Sequence, residues 1–175
     1  MKALYGSLFG IVLVLMVAPL AAGERAFSSW DRQINTPGRF KVLDDFADAA
    51  VLDKETGLVW KQSPSTSTVT WFAALLCYSL EVGGRKGWRL PTIEELASLV
   101  DTSVAGSPKL PAGHPFSNVQ SSVYWSATTE AGATSSAWIV FFDSGGVGVS
   151  GKGNTNHVWC VRGGQGVDGV QAPPP

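Results

Sequence analysis

The chain has 175 residues, with 13 Lys or Arg against 14 Asp or Glu and a formal net charge of −1. That balance, with 15% charged and 45% hydrophobic residues, excludes the strong basic stripe that a nucleic-acid binder needs. The length suits one domain with a leader and a tail.

Residues 1–23 read as a secretory signal peptide. Met1 and Lys2 form a short positive region, Leu8 to Val17 an apolar run, and Ala21-Ala22-Gly23 a small-residue cleavage site. The protein is therefore expected to be exported, to the periplasm, the cell surface or the outside. The alternative is an uncleaved membrane anchor, because the apolar run from Ala3 to Leu20 nearly reaches a spanning length. Contact with the membrane is expected only in that case. Roughly 150 residues remain after cleavage, enough to bury a core of their own. Cys77 and Cys160 both lie in that exported part. An even pair in an oxidising compartment is most simply a disulfide. A redox or metal pair is the alternative, although there is no C-x-x-C spacing.

Residues 24–47 read as a polar linker or edge segment. In VLDKETGLVWKQ, Lys54 to Gly57 form a turn between strands at Val51-Leu52 and Leu58-Val59-Trp60. Pro64 to Thr68 is a Ser/Thr-rich loop. Thr70 then caps a helix in which Trp71, Ala74, Leu75, Cys77 and Tyr78 have helical spacing, and Gly83-Gly84 stops it. Cys77 is expected to face inward.

The stretch GWRLPTIEELASLVD at 87–101 supplies a second helix. Thr92 with Glu95 three residues on is a capping box, and Pro91 ends the extended segment before it. Ile93, Leu96, Leu99 and Val100 form one apolar stripe. Neighbouring helical residues point about 100° apart, so Glu94 and Glu95 are poorly placed to share a proton. The stretch is read as a fold clamp, not a catalytic pair. Arg89 has no local role and is expected on the surface, with a pair to Asp101 as the alternative.

Residues 102–122 are irregular, with three prolines. A loop of that length in a compact domain is either functional or the sign of a missed element. Strands follow at 123–128, 137–142, 146–150 and 157–162, with a hairpin turn at 143–146. The apolar run AWIVFF reads as a central strand buried on both faces. The tail at 166–175 is Gly/Pro-rich and expected to be disordered. Of six domain tryptophans, Trp60, Trp71, Trp88 and Trp159 are assigned to the core. Trp125 and Trp138 are candidates for either core or a sugar-stacking surface. Asn118, Asp143, Asn154 and Asn156 are oxygen donors on loops, but their spacing matches no calcium loop. His114 and His157 read as structural. No metal and no cofactor are expected.

The motifs DKETGLVW (53–60), TWFAA (70–74), GWRLPTIEEL (87–96), YWSATT (124–129), AWIVFF (137–142) and CVRGG (160–164) occur in this order. Together they resemble the Lcl C-terminal domain family, named after a bacterial collagen-like surface adhesin, over residues 48–165. The resemblance implies an α+β fold of the C-type lectin-like kind, near the formylglycine-generating-enzyme variant. Two helices would flank a small twisted, mostly antiparallel sheet with long loops on one side. It also implies a disulfide from the first helix to the last strand, which are the elements assigned to Cys77 and Cys160.

Functionally, the resemblance implies a non-catalytic, adhesin-like binding module. It would engage a polysaccharide or a surface protein through the loops at 102–122, 129–136 and 143–157. The site residues expected are Trp125 and Trp138 on the strands with Asn118, Asp143, Lys152, Asn154 and Asn156 on the loops. The namesake implies sulfated polysaccharides, for which Arg85, Lys86, Arg89 and Lys152 supply charge without a dense cluster. A structural accessory subunit of an envelope or surface assembly is the alternative. An oxidase like the formylglycine-generating enzymes is a third reading, but it needs a reactive cysteine pair. Ligand identity and oligomeric state are left open.

Overall fold

Short β-prone runs separated by turn residues build the first sheet. The computed structural model describes residues 38–163; the expected leader, the start of the 24–47 segment and the tail at 166–175 lie outside them. Strands β1 (Phe40–Val42), β2 (Ala50–Asp53) and β3 (Val59–Lys61) form an antiparallel meander with Val51 opposite Trp60. The β2–β3 turn is set by Asp53, whose carboxylate accepts from the Glu55 N–H and the Thr56 hydroxyl. Gly57 follows at φ 74°, a left-handed value that favours glycine. The sheet is completed by β5 (Trp88–Arg89) and β10 (Val161–Arg162), in the order β1-β2-β3-β10-β5. Phe40 packs edge-on against Phe116 at 5.1 Å, so the packed body includes residues ahead of position 48.

Strand β4 (Val69–Thr70) pairs with β9 (Thr155–Asn156) and leads into α1 (Trp71–Ala74), which tightens into a 3-10 helix at Leu75–Ser79. Thr70 holds the cap position, but its side chain makes no capping hydrogen bond. The helix ends before Gly83-Gly84, which instead turn the chain between Val82 and Arg85. Gly83 is required there, since a Cβ would sit 2.4 Å from the Phe46 backbone.

The capping box forms as expected on α2 (Ile93–Ala97): the Glu95 N–H donates to Thr92 Oγ1 and the Thr92 N–H to Glu95 Oε2. Arg89 departs from expectation. Its guanidinium grips Glu95 at 2.6 and 2.7 Å and donates to the Gly163 carbonyl at 2.7 Å. It is neither free on the surface nor paired with Asp101, because β5 runs directly into the α2 cap. Arg89→Ala should therefore cost about 1–2 kcal/mol, the value of a charge-assisted pair discounted for Arg89's partial exposure. Chemical denaturation with an unchanged slope checks this.

A second sheet has the order β6-β7-β8, from β6 (Val123–Thr129), β7 (Ser136–Phe141) and β8 (Val147–Gly151). The expected strand at 157–162 divides in two. Its first part leaves β9 and runs beside β6, where the Trp125 N–H donates to the His157 carbonyl and the His157 N–H to that of Val123. Its second part becomes β10, after Cys160 accepts from the Lys61 N–H. One segment thus links the sheets, and each half takes the partners its neighbours leave open.

Two apolar clusters result. Trp60, Trp159, Tyr124, Phe116 and Phe142 interlock in one; Trp88, Trp125, Ile139 and the cysteines lie in the other. Burial pushes the Tyr124 phenol up to about 12, against the opposing effect of the Gln120 N–H. Leu110 and Phe116, both from the long 102–122 loop, are buried in the first cluster. Those two side chains anchor the loop in the core, while 102–103, 105–107 and 112–113 stay exposed. The architecture is α+β, mostly small antiparallel sheets with short helices. Among the described residues no helix is long and apolar enough to cross a membrane. Cys77 and Cys160 are disulfide-bonded with Cα atoms 5.7 Å apart, tying the 3-10 helix to the segment entering β10.

Candidate binding surface

Trp71 and Phe72 open α1 side by side, and successive helical side chains diverge too widely for both to enter the core. Trp71 goes partly inward, donating its indole N–H to the Ser126 carbonyl at 2.8 Å. Phe72 stays 66% exposed and meets the Trp71 ring edge-on at 5.4 Å. Lys152, just past β8, accepts from the Trp71 N–H through its carbonyl. Its ammonium lies 4.1 Å from the Trp71 ring centroid and donates to Thr129 Oγ1 at 2.8 Å. Lys152 forms no ion pair among the described residues.

Asn154 and Asn156 belong to the same corner. The Asn154 amide donates to Ser150 Oγ at 3.2 Å. Asn156 stands opposite Val69 on the β4–β9 pair, with its amide nitrogen shielded and without a hydrogen-bond partner. Leu76 and Tyr78 continue the exposed side of the 3-10 helix. An apolar aromatic face thus adjoins a lysine that, among the described residues, has no carboxylate to neutralise it.

The other expected site residues lie apart from this surface or inside the protein. Trp125 is fully enclosed and donates its indole N–H to the Val69 carbonyl at 2.9 Å. It has no face for stacking a sugar, because β6 is covered on both sides. Trp138 is half-buried beside Val149 in the β7–β8 ladder. Asn118 is an exposed turn residue at φ 55° whose amide donates to Ser63 Oγ. Asp143 is exposed in the β7–β8 turn and accepts from the Ser144 hydroxyl. Trp71 shifts the other way, from assigned core to half-buried rim.

The remaining basic candidates are already occupied. Arg85 lies 3.5 Å from Asp45, Lys86 lies 3.8 Å from Glu81, and Arg89 is bound to Glu95. His157 is buried with Nδ1 3.1 Å from the Ser65 carbonyl, and burial lowers the pKa of His114. Among the described residues no group of three or more His, Cys, Asp or Glu side chains is placed to hold a metal ion.

These elements define a disulfide-bridged α+β domain that carries an exposed Phe72 next to half-buried Trp71 and Lys152 at one corner. The model of the Lcl C-terminal domain family matches residues 49–162, and the chain belongs to that family. A search of the curated proteins finds no match.

Proposed function

We propose that this is an exported, non-catalytic binding module of C-type lectin-like fold, recognising a glycan or protein ligand in the manner of an adhesin. The observation that carries the reading is the Phe72–Trp71–Lys152–Thr129 surface. An exposed ring supplies stacking area, and a fixed cation beside it supplies orientation. Both cysteines are consumed in the bridge, which supports a binding role over thiol-dependent oxidase chemistry.

The test is a glycan-array and surface-protein screen of the purified protein, followed by titration of any hit. Phe72→Ala and Lys152→Ala should each weaken binding about tenfold, equivalent to ~1.4 kcal/mol, while the melting temperature holds. Hits that bind both variants as tightly as the parent place the ligand elsewhere and remove this surface from consideration.

A further inference from the structure

β8 is the edge of its sheet, and its main-chain register shows which groups it leaves open. The Phe141 N–H donates to the Gly146 carbonyl, and the Lys152 N–H to that of Ser135. On the far side of β7, the Phe142 N–H donates to the Ser122 carbonyl. This alternation turns Gly146, Gly148 and Ser150 toward β7, with Gly148 opposite Ile139 and Ser150 opposite Ala137. Val147 and Val149 therefore point their N–H and carbonyl groups away from the sheet. Their side chains are 48% and 45% exposed.

The other sheet edges are short or already covered. β1 is three residues long with exposed Lys41 in its middle, and β5 has two residues. The outer side of β6 is satisfied by His157. β8 lacks the two residue types that commonly blunt an edge: from Ser144 to Gly151 the sequence SGGVGVSG holds no charge and no proline. Gly148 is small because the Phe141 ring lies against it, where a Cβ would come within 2.8 Å.

We infer that β8 is a homotypic docking strand, pairing antiparallel with β8 of a second copy of this chain about a two-fold axis at Gly148. In that register Val147 of each copy faces Val149 of the other. Both residues' open main-chain groups are then satisfied, and the valines meet on one face of a continuous six-stranded sheet. Charge favours the antiparallel sense. Asp143 and Lys152 flank the neutral stretch at opposite ends, so opposite charges approach in this arrangement and like charges in a parallel one. The contact is isologous, so it closes at two copies and does not grow into a fibre. The interface is one strand wide, so the dimer forms with concentration and is not obligate.

Sedimentation of the purified protein over a concentration series tests this, with Val149→Pro and Val149→Lys as variants. Proline at 149 removes only the outward N–H and keeps the bonds to β7, which come from the even-numbered residues. Lysine keeps every main-chain group and puts two like charges into the contact. The expected result is a reversible monomer–dimer equilibrium whose dissociation constant rises at least about tenfold in both variants, with melting temperature retained in Val149→Lys. A parent protein that stays monomeric up to ~1 mM overturns the inference. So does a dimer that neither variant weakens, or assembly beyond two copies.

Discussion

Cys77→Ala/Cys160→Ala is expected to lose roughly 4–5 kcal/mol of stability. The bridge joins residues 83 apart in sequence, and the chain entropy that such a loop removes from the denatured state is of that size. The native side adds to the argument. α1 and the 3-10 helix after it bury fully only Ala74 and Cys77, while Phe72, Leu76 and Tyr78 face outward. A segment with so few buried side chains depends on its covalent tie. Urea denaturation of the oxidised parent and the double variant reads out the loss. The variant's slope should be steeper, because its unfolded chain exposes more surface. Hydrogen exchange should rise first in residues 71–80, ahead of β6 and β7. A loss under about 1 kcal/mol would show that the bridge does not hold the fold by this means.

Features written in local chemistry were legible in the sequence. The turn at 54–57 follows from Asp53, Thr56 and Gly57, and the α2 start from Thr92 and Glu95. β6 and β7 stand within a residue of the alternation and apolar run that announced them. Features decided by tertiary partners were not. Nothing local tells that 155–162 divides among three sheets, because the partners that divide it, Val69, Val123 and Lys61, are distant in sequence. Arg89 looked idle because its partner Glu95, only six residues on, was already assigned to the cap, and its other partner, the Gly163 carbonyl, lies 74 positions away.

The candidate surface shows the same division. Of the polar residues expected at the site, Lys152, Asn154 and Asn156 lie at one corner, while Asn118 and Asp143 lie in other turns. Trp125 and Trp138 were each read as either core or stacking surface, and Trp125 lies in the core; alternation alone does not decide this when both faces of a strand are covered. A usable signal existed in Trp71-Phe72. Two adjacent aromatics at a helix start force one ring outward.

The second large effect is expected at Asp53. Asp53→Ala should destabilise the domain by about 3–5 kcal/mol, because it strands a buried charge. Asp53 is fully enclosed, and Arg39 nearly so; the guanidinium binds the carboxylate at 2.9 and 2.7 Å. The same Arg39 donates to the Ser98 carbonyl at 2.8 Å, so the pair anchors β1 and β2 to the end of α2. Glu55, 3.6 Å from Arg39, offers partial compensation and sets the loss toward the lower end. The decisive comparison is Arg39→Met/Asp53→Leu, which removes both charges and keeps comparable volume. It should recover most of the loss in chemical denaturation, since a paired buried charge contributes little beyond what an apolar pair supplies. If the double variant is as unstable as Asp53→Ala, the turn bonds from Asp53 to Glu55 and Thr56 carry the energy instead of the ion pair. The clamp on β1 would then reside in the β2–β3 turn.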